Sequence, residues 1–237
     1  MLFRSNYAKI SHHDTAMIDG IEEELNKENN GLFNMLRPNP TGEWQYDWSC
    51  ENWGTKWDAS IIDWERRDDN EIWVSFESAW APPTRLYEYI VEQGWEVDAV
   101  YHEGGMGYAG LYTTEDGEGF DDYYEYDLGD PESIEDLPSD VIEFGDLRTK
   151  SQEHIIYMLE EEWGDAERTE WYPMTVCPVR DGWYEVQCKN SQYASDPNGT
   201  YIQFVKYDEL LEWDFWNNEL MINWRGLAKD PSEAEVD

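Results

Sequence analysis

Hydrophobic positions recur along this chain with two spacings, and the order of those spacings predicts a fold. Asn6-Tyr7-Ala8-Lys9-Ile10 alternates at period two, as a half-buried strand does. Asp14 then makes a good N-cap, and Met17, Ile18, Ile21 and Leu25 form the apolar stripe of a helix ending near Asn29-Asn30-Gly31. After a Pro- and Trp-rich connection, Ser60-Ile61-Ile62-Asp63-Trp64 makes a second strand. A polar turn over Arg66 to Asn70 leads to a third, where Ile72, Val74 and Phe76 alternate with Trp73, Ser75 and Glu77. Pro82-Pro83 opens a second helix with Leu86, Tyr89, Ile90 and Gln93 on one face and Gly94 at its end. In the strand that follows, Trp95, Val97, Ala99 and Tyr101 share a face opposite Glu96 and Asp98.

The order β-α-β-β-α-β predicts an α+β fold, a ferredoxin-like antiparallel sheet. Met106 to Tyr112 and Phe120 to Tyr126 add an extra hairpin across a polar turn at Glu115 to Gly119. Residues 1–127 are thus expected as the ferredoxin-like domain. Residues 128–150 have the Pro, Gly and Asp content of an acidic linker. Ser151 is expected to cap a helix carrying Ile155, Ile156, Leu159 and Trp163, stopped by Gly164, with Glu160-Glu161-Glu162 as a solvated face. Met174 to Val179 and Trp183 to Cys188 flank Asp181-Gly182, a short-range hairpin signal, and Tyr201 to Tyr207 alternates as another strand. With Leu220 to Trp224 closing the sheet, residues 151–229 read as a smaller β-rich C-terminal module, and 230–237 as a flexible tail.

Composition sharpens this picture. The 237 residues are 40% hydrophobic and include 14 Trp, 16 Tyr and 7 Phe, too aromatic for a chain that stays unfolded. No stretch approaches the roughly 20 apolar residues a membrane span requires, and the start lacks a signal-peptide core. Cys50, Cys177 and Cys188 form no metal-spaced pair and are odd in number, so a reducing cytoplasm is expected and Asn198-Gly199-Thr200 is taken as a turn.

The net charge of −38 changes the functional expectation most. A folded chain of this length is a globule about 45 Å across, and duplex DNA of that length carries about 26 negative charges. The protein matches or exceeds DNA in charge per length. Its field repels nucleic acid and anionic membrane and attracts basic surfaces. From Leu86 to Leu147 there is no Lys or Arg against 19 acidic residues, a concentration that generic acidity or adaptation to salt does not require.

Ser5-Asn6, Leu32-Phe33-Asn34 with Pro38 and Pro40, the run Asn52-Trp53-Gly54-Thr55-Lys56-Trp57-Asp58, Phe76-Glu77-Ser78-Ala79-Trp80-Ala81-Pro82-Pro83 and Glu103-Gly104-Gly105-Met106-Gly107-Tyr108-Ala109-Gly110 occur in an order matching the predicted elements. In these motifs, over about residues 4–126, the chain resembles the YubB-type ferredoxin-like domain family of phages, plasmids and prophage regions. The resemblance implies fold and mobile-element origin but no catalytic residues. Val179 to Val186 and Asn223 to Leu227 are loosely similar to modules of small phage proteins. No iron–sulfur cluster is expected, because closely spaced thiolates are absent.

Candidate chemistry is sparse. His12-His13, His102 and His154 lack ligand spacing, no metal or other cofactor is expected, and carboxylates near Asp116 to Asp122 offer only adventitious cation binding. Glu103 to Gly107 resembles a phosphate loop but no Lys or helix start follows. No Ser or Cys nucleophile motif is present, and abundance strips paired carboxylates of meaning, so the chain is not expected to be an enzyme. In NWGTKWD, Asn52 and Gly54 are expected to make the turn, Trp53 and Trp57 to pack in the core, and Lys56 to pair with a neighbouring carboxylate.

The expected site is instead a surface for a basic host protein that handles nucleic acid, met in the cytoplasm of an infected cell, with no direct nucleic acid or membrane contact. Its residues are Glu115, Asp116, Glu118, Asp121, Asp122, Glu125, Asp127, Asp130, Glu132, Glu135, Asp136, Asp140, Glu143 and Asp146. The alternative is a structural or regulatory assembly module, open to homo-oligomerisation, whose acidity serves solubility.

Overall fold

The computed structural model describes residues 3–164, 168–173, 178, 182–189, 200–208, 212–213 and 221–226. The chain divides into two compact units, Met1–Ser151 and Gln152–Asp237.

The first unit is built on six strands: β1 (Phe3–Ser11), β2 (Ser60–Asp68), β3 (Glu71–Ala79), β4 (Glu96–Glu103), β5 (Tyr108–Glu115) and β6 (Glu118–Glu125). They lie in the order β2-β3-β1-β4-β5-β6, with each neighbouring pair antiparallel. The first four stand in ferredoxin-like order, and the β5–β6 hairpin extends the sheet beyond β4. The α+β expectation therefore holds, extra hairpin included.

Alternation explains the core. In β3, Ile72, Val74, Phe76 and Ser78 are buried while the residues between them, up to Glu77, are half-buried. Onto that face pack α1 (Thr15–Leu25), through Ile18, Ile21 and Leu25, and α4 (Thr84–Val91), through Leu86, Tyr87, Ile90 and Val91. Asp14 caps α1 as expected, its carboxylate accepting from the Ala16 amide at 3.1 Å. Two short helices, α2 (Leu32–Leu36) and α3 (Tyr46–Asn52), occupy the Pro- and Trp-rich connection.

Residues 128–150 are not a linker. They form α5 (Pro131–Glu135) and α6 (Ser139–Gly145) and lead into α7 (Leu147–Trp163). Ile134, Leu137, Val141, Ile142 and Leu147 are buried with Ala109 and Tyr126, against Val100 and Leu111 on the sheet face turned away from α4. Each such aliphatic burial contributes about 1.5–3 kcal/mol, enough together to hold an acidic segment on the sheet. Because α7 begins at Leu147, Ser151 is not its cap; its hydroxyl donates to the Leu128 carbonyl at 2.7 Å.

The β5–β6 turn is tighter than expected. Asp116 and Gly117 both have positive φ, 51° and 80°, which suits a two-residue hairpin of the Asp-Gly kind.

The second unit carries β7 (Tyr172–Pro173), β8 (Gly182–Lys189), β9 (Thr200–Asp208), β10 (Glu212–Trp213) and β11 (Met221–Arg225) in the order β10-β9-β8-β11-β7. Val186, Cys188, Met221 and Trp224 form its core. The expected strands at 183–188, 201–207 and 220–224 fall on β8, β9 and β11. Residues 174–177, 179–181 and 227–237, which include most of the expected first hairpin strand and the tail, lie outside the described residues.

Candidate functional site

The NWGTKWD run leaves α3 and turns toward the sheet. Asn52 closes α3 with its amide donating to the Trp48 carbonyl at 2.9 Å. Trp53 is buried, edge-on to Phe33 and Trp48, and its indole donates to the Arg37 carbonyl at 3.0 Å. Gly54 has φ 85°, a conformation that favours glycine, and lies over the start of α4.

The remaining expectations for this run need correction. Trp57 is half-buried rather than core. Lys56 pairs with no carboxylate among the described residues; its ammonium lies 4.6 Å from the Trp57 ring centroid and 4.8 Å from that of Trp80. Asp58 is the hub that the sequence concealed. It accepts from the amides of Phe33 (2.7 Å), Asn34 (2.9 Å) and Ala59 (2.8 Å), satisfying the first turn of α2 from 25 residues away. Desolvation nevertheless outweighs these bonds and raises its pKa above the ordinary carboxylate value.

Trp80 is held in the left-handed region, φ 71°, although it is bulky and partly exposed. Such a backbone costs on the order of 1–3 kcal/mol. Tyr46 packs edge-on against its ring at 6.0 Å, and the Tyr108 hydroxyl donates to its carbonyl at 3.2 Å.

Beside this corner, at the edge of the sheet, lies a cleft of about 290 Å³ lined by Cys50, Gly54, Ala81, Pro82, Thr84, Arg85, Tyr101, Tyr108, Asp121 and Tyr123. It draws together three of the motif stretches and β6. Cross-strand register puts Tyr101 opposite Gly110 and Gly110 opposite Tyr123. With no side chain on Gly110, the Tyr101 hydroxyl reaches Asp121 on β6 and donates to it at 2.8 Å. Burial, then the Asp121 carboxylate, push the Tyr101 phenol far up. Asp121 is itself raised by desolvation and by its neighbours Asp122 and Glu88, against the lowering effect of Tyr101. Below, the Tyr87 and Tyr112 rings meet at a tilt of 50° with centroids 5.1 Å apart; both hydroxyls are buried without a hydrogen-bond partner among the described residues, and burial pushes Tyr112 up to about 12.

All fourteen predicted acidic residues are solvent-exposed. Five stand on the β5–β6 strands and one in their turn: Glu115, Glu118, Asp121, Asp122, Glu125, and Asp116. The rest lie on α5, α6 and their connections. Several have local duties as well. Asp130 caps α5 by accepting from the Glu132 amide at 3.1 Å, Asp127 accepts from the Gly129 amide at 2.8 Å, and Asp146 ends α6 at φ 48°. Glu135 is paired bidentately with Arg148, both contacts 2.7 Å, which holds its carboxyl below the ordinary range. Of the residues with local duties, Asp116, Asp127, Asp130 and Asp146 follow from turn and cap chemistry alone.

Among the described residues no group of His, Cys, Asp and Glu is arranged to hold a metal ion, and no helix is long and apolar enough to cross a membrane. His102 is buried, stacked on Tyr126 and hydrogen-bonded to its hydroxyl at 2.6 Å, beneath α6. Tyr101, Tyr108, Tyr123 and Arg85 were missed as a group, because only strand register brings them together.

A ferredoxin-like fold with an appended acidic hairpin and helical cap places the chain in a broad structural class. Residues 56–144 match the family model described as the ferredoxin-like domain in Api92-like protein. That match begins at Lys56 and runs through β6 and α6. Among solved structures, the crystal structure of a protein api92 from Yersinia pseudotuberculosis is similar at 26% identity, over 35% of this chain and 30% of that one, with a TM-score of 0.29. This chain thus corresponds to under a third of that protein. No curated protein matches it.

Proposed function

We propose that this chain is an acidic interaction protein of a phage or plasmid, of the YubB type, that docks on a basic surface of a host nucleic-acid-handling protein in the manner of a DNA mimic. The observation that carries the proposal is that every one of the fourteen acids between Glu115 and Asp146 is exposed, in a span with no Lys or Arg from Leu86 to Leu147. Carboxylates stand in for phosphates, and the exposed Phe120 and Tyr123 of β6 supply the aromatic anchors that interface hot spots favour. The mode of action is occupancy of a groove, as in inhibition of a defence nuclease, restriction enzyme or transcription factor, without catalysis. Capture of partners from host lysate followed by elution in rising salt tests it: affinity should fall steeply with ionic strength, and an affinity indifferent to salt overturns it.

One observation favours assembly through the sheet instead. β6 is an edge strand paired to β5 in unbroken register, whereas the other edge, β2, carries two register shifts that blunt it. Reversing the charges of Asp121, Asp122 and Glu125 separates the two, since backbone pairing along β6 survives the reversal and charge docking does not.

A further inference from the structure

The cleft beside β6 presents a carboxylate, that of Asp121, to which no cation is paired among the described residues. Asp121 accepts a hydrogen bond from Tyr101 at 2.8 Å. The charges that act on it, Asp122 and Glu88, share its sign, and together with desolvation they hold its pKa up. Arg85 lines the same cleft without pairing to it. A carboxylate that is partly desolvated at the cleft, though still open to solvent, and under like charge is the situation that an incoming cation relieves most.

The walls suit a flat cation. Tyr108 and Tyr123 stand side by side with ring centroids 5.2 Å apart and planes 34° from parallel. Nearby, Lys56 shows the chain already lodging a cation against aromatic faces, those of Trp57 and Trp80. At about 290 Å³ the cleft is at the small end for metabolite sites, which run to about 1,000 Å³, and is sized for one long side chain. Guanidinium combines planar stacking, several donors and weak hydration, and so tolerates such a place better than ammonium does.

We propose that this cleft receives one arginine side chain of the basic partner, its guanidinium paired to the Asp121 carboxylate and stacked on Tyr108 and Tyr123. The inference rests on the docking function above and adds its anchor point. Most of the acidic surface then supplies attraction, and the cleft supplies position.

The test is a titration of the full chain, followed by amide resonances, with N-acetyl-arginine amide and with its uncharged citrulline counterpart. Saturable shifts centred on Gly110, Asp121 and Tyr123 are expected with arginine and not with citrulline. Asp121→Asn, which keeps an acceptor for Tyr101, should weaken arginine binding by roughly tenfold or more. Shifts that spread over all exposed acids without saturating, equal binding by citrulline, or unchanged affinity in Asp121→Asn would overturn the cleft assignment. Polyarginine titrated against salt in parallel separates the two ideas. Salt-sensitive polyarginine binding without a saturable cleft sinks the anchor alone, whereas polyarginine binding that ignores salt sinks the docking function, and the arginine titration then judges the cleft by itself.

Discussion

The Tyr101 ring lies where a Cβ on Gly110 would stand, so that the hydroxyl of one strand reaches across a second to bond Asp121 on a third. The same device recurs next to it: Tyr112 covers Gly119 of β6 so closely that a Cβ there would clash with its hydroxyl. Two tyrosines thereby fill the places of two missing side chains, and the hairpin with the densest acid is pinned to the body of the sheet by aromatic area. Charge repulsion along β6 is offset by packing that no charged residue supplies.

Gly110→Ala should therefore destabilise the first unit by about 1–3 kcal/mol, the usual result of forcing atoms into a packed place. The new methyl meets the Tyr101 hydroxyl and the Asp122 carbonyl, 2.5 Å away. Because the clash is mostly with one ring, Gly110→Ala and Tyr101→Ala should be non-additive, the double variant losing less than the two singles combined. Urea unfolding of the four proteins measures this, and strict additivity would refute the covering role.

Asp58→Ala should cost about 1–3 kcal/mol, since it strands the Phe33 and Asn34 amides that begin α2. Asp58→Asn should cost less, as it keeps one acceptor and removes a desolvated charge. Hydrogen exchange at those two amides should quicken in Asp58→Ala while exchange in β1 changes only with global stability. Unchanged exchange at Phe33 and Asn34 would show that the cap is dispensable.

The parts that were legible in the sequence are those whose spacing reports one buried face. β3 shows Ile72, Val74 and Phe76 at period two because α1 and α4 cover that side fully while the other side is only half-buried. The α5–α6 segment was hidden by its own punctuation. Pro131 and Pro138 suggest a linker, but both stand at helix starts, where a missing N–H costs nothing, and Ile134, Leu137, Val141 and Ile142 supply the buried stripe. The acidic residues could be listed from the sequence because exposure is what charge demands. The cleft could not, because it depends on which residue of β4 stands opposite which of β5 and β6, and Asp58 serves amides that only tertiary folding brings near.

Asp121→Asn offers a separation of stability from binding. The folded-state pKa of Asp121 lies above its unfolded value, so its ionised form is disfavoured by the fold and that cost is present at neutral pH. The asparagine variant should have a melting temperature at pH 7 no lower than that of the parent, while binding to a basic partner weakens. A clear fall in melting temperature would mean that the charge itself supports β6.

His102 makes the acid side of the stability profile steeper than the carboxylates alone would. Burial, reinforced by Lys150, lowers its pKa from 6.5 to about 4, against a smaller opposing effect of Glu103. The folded state therefore binds this proton less readily than the unfolded chain does. Stability from neutral His102 is complete above about pH 6.5 and is lost as pH falls toward 4. At about 1.4 kcal/mol for each tenfold change in proton affinity, the loss approaches about 3 kcal/mol. The protonated ring would sit between Tyr126 and the α6 residue Gly145, so α6 should loosen first. His102→Gln removes the titrating group, so its unfolding free energy should fall less than the parent's between pH 7 and pH 4. Parallel pH profiles for the two proteins would show that His102 titrates alike in the folded and unfolded states.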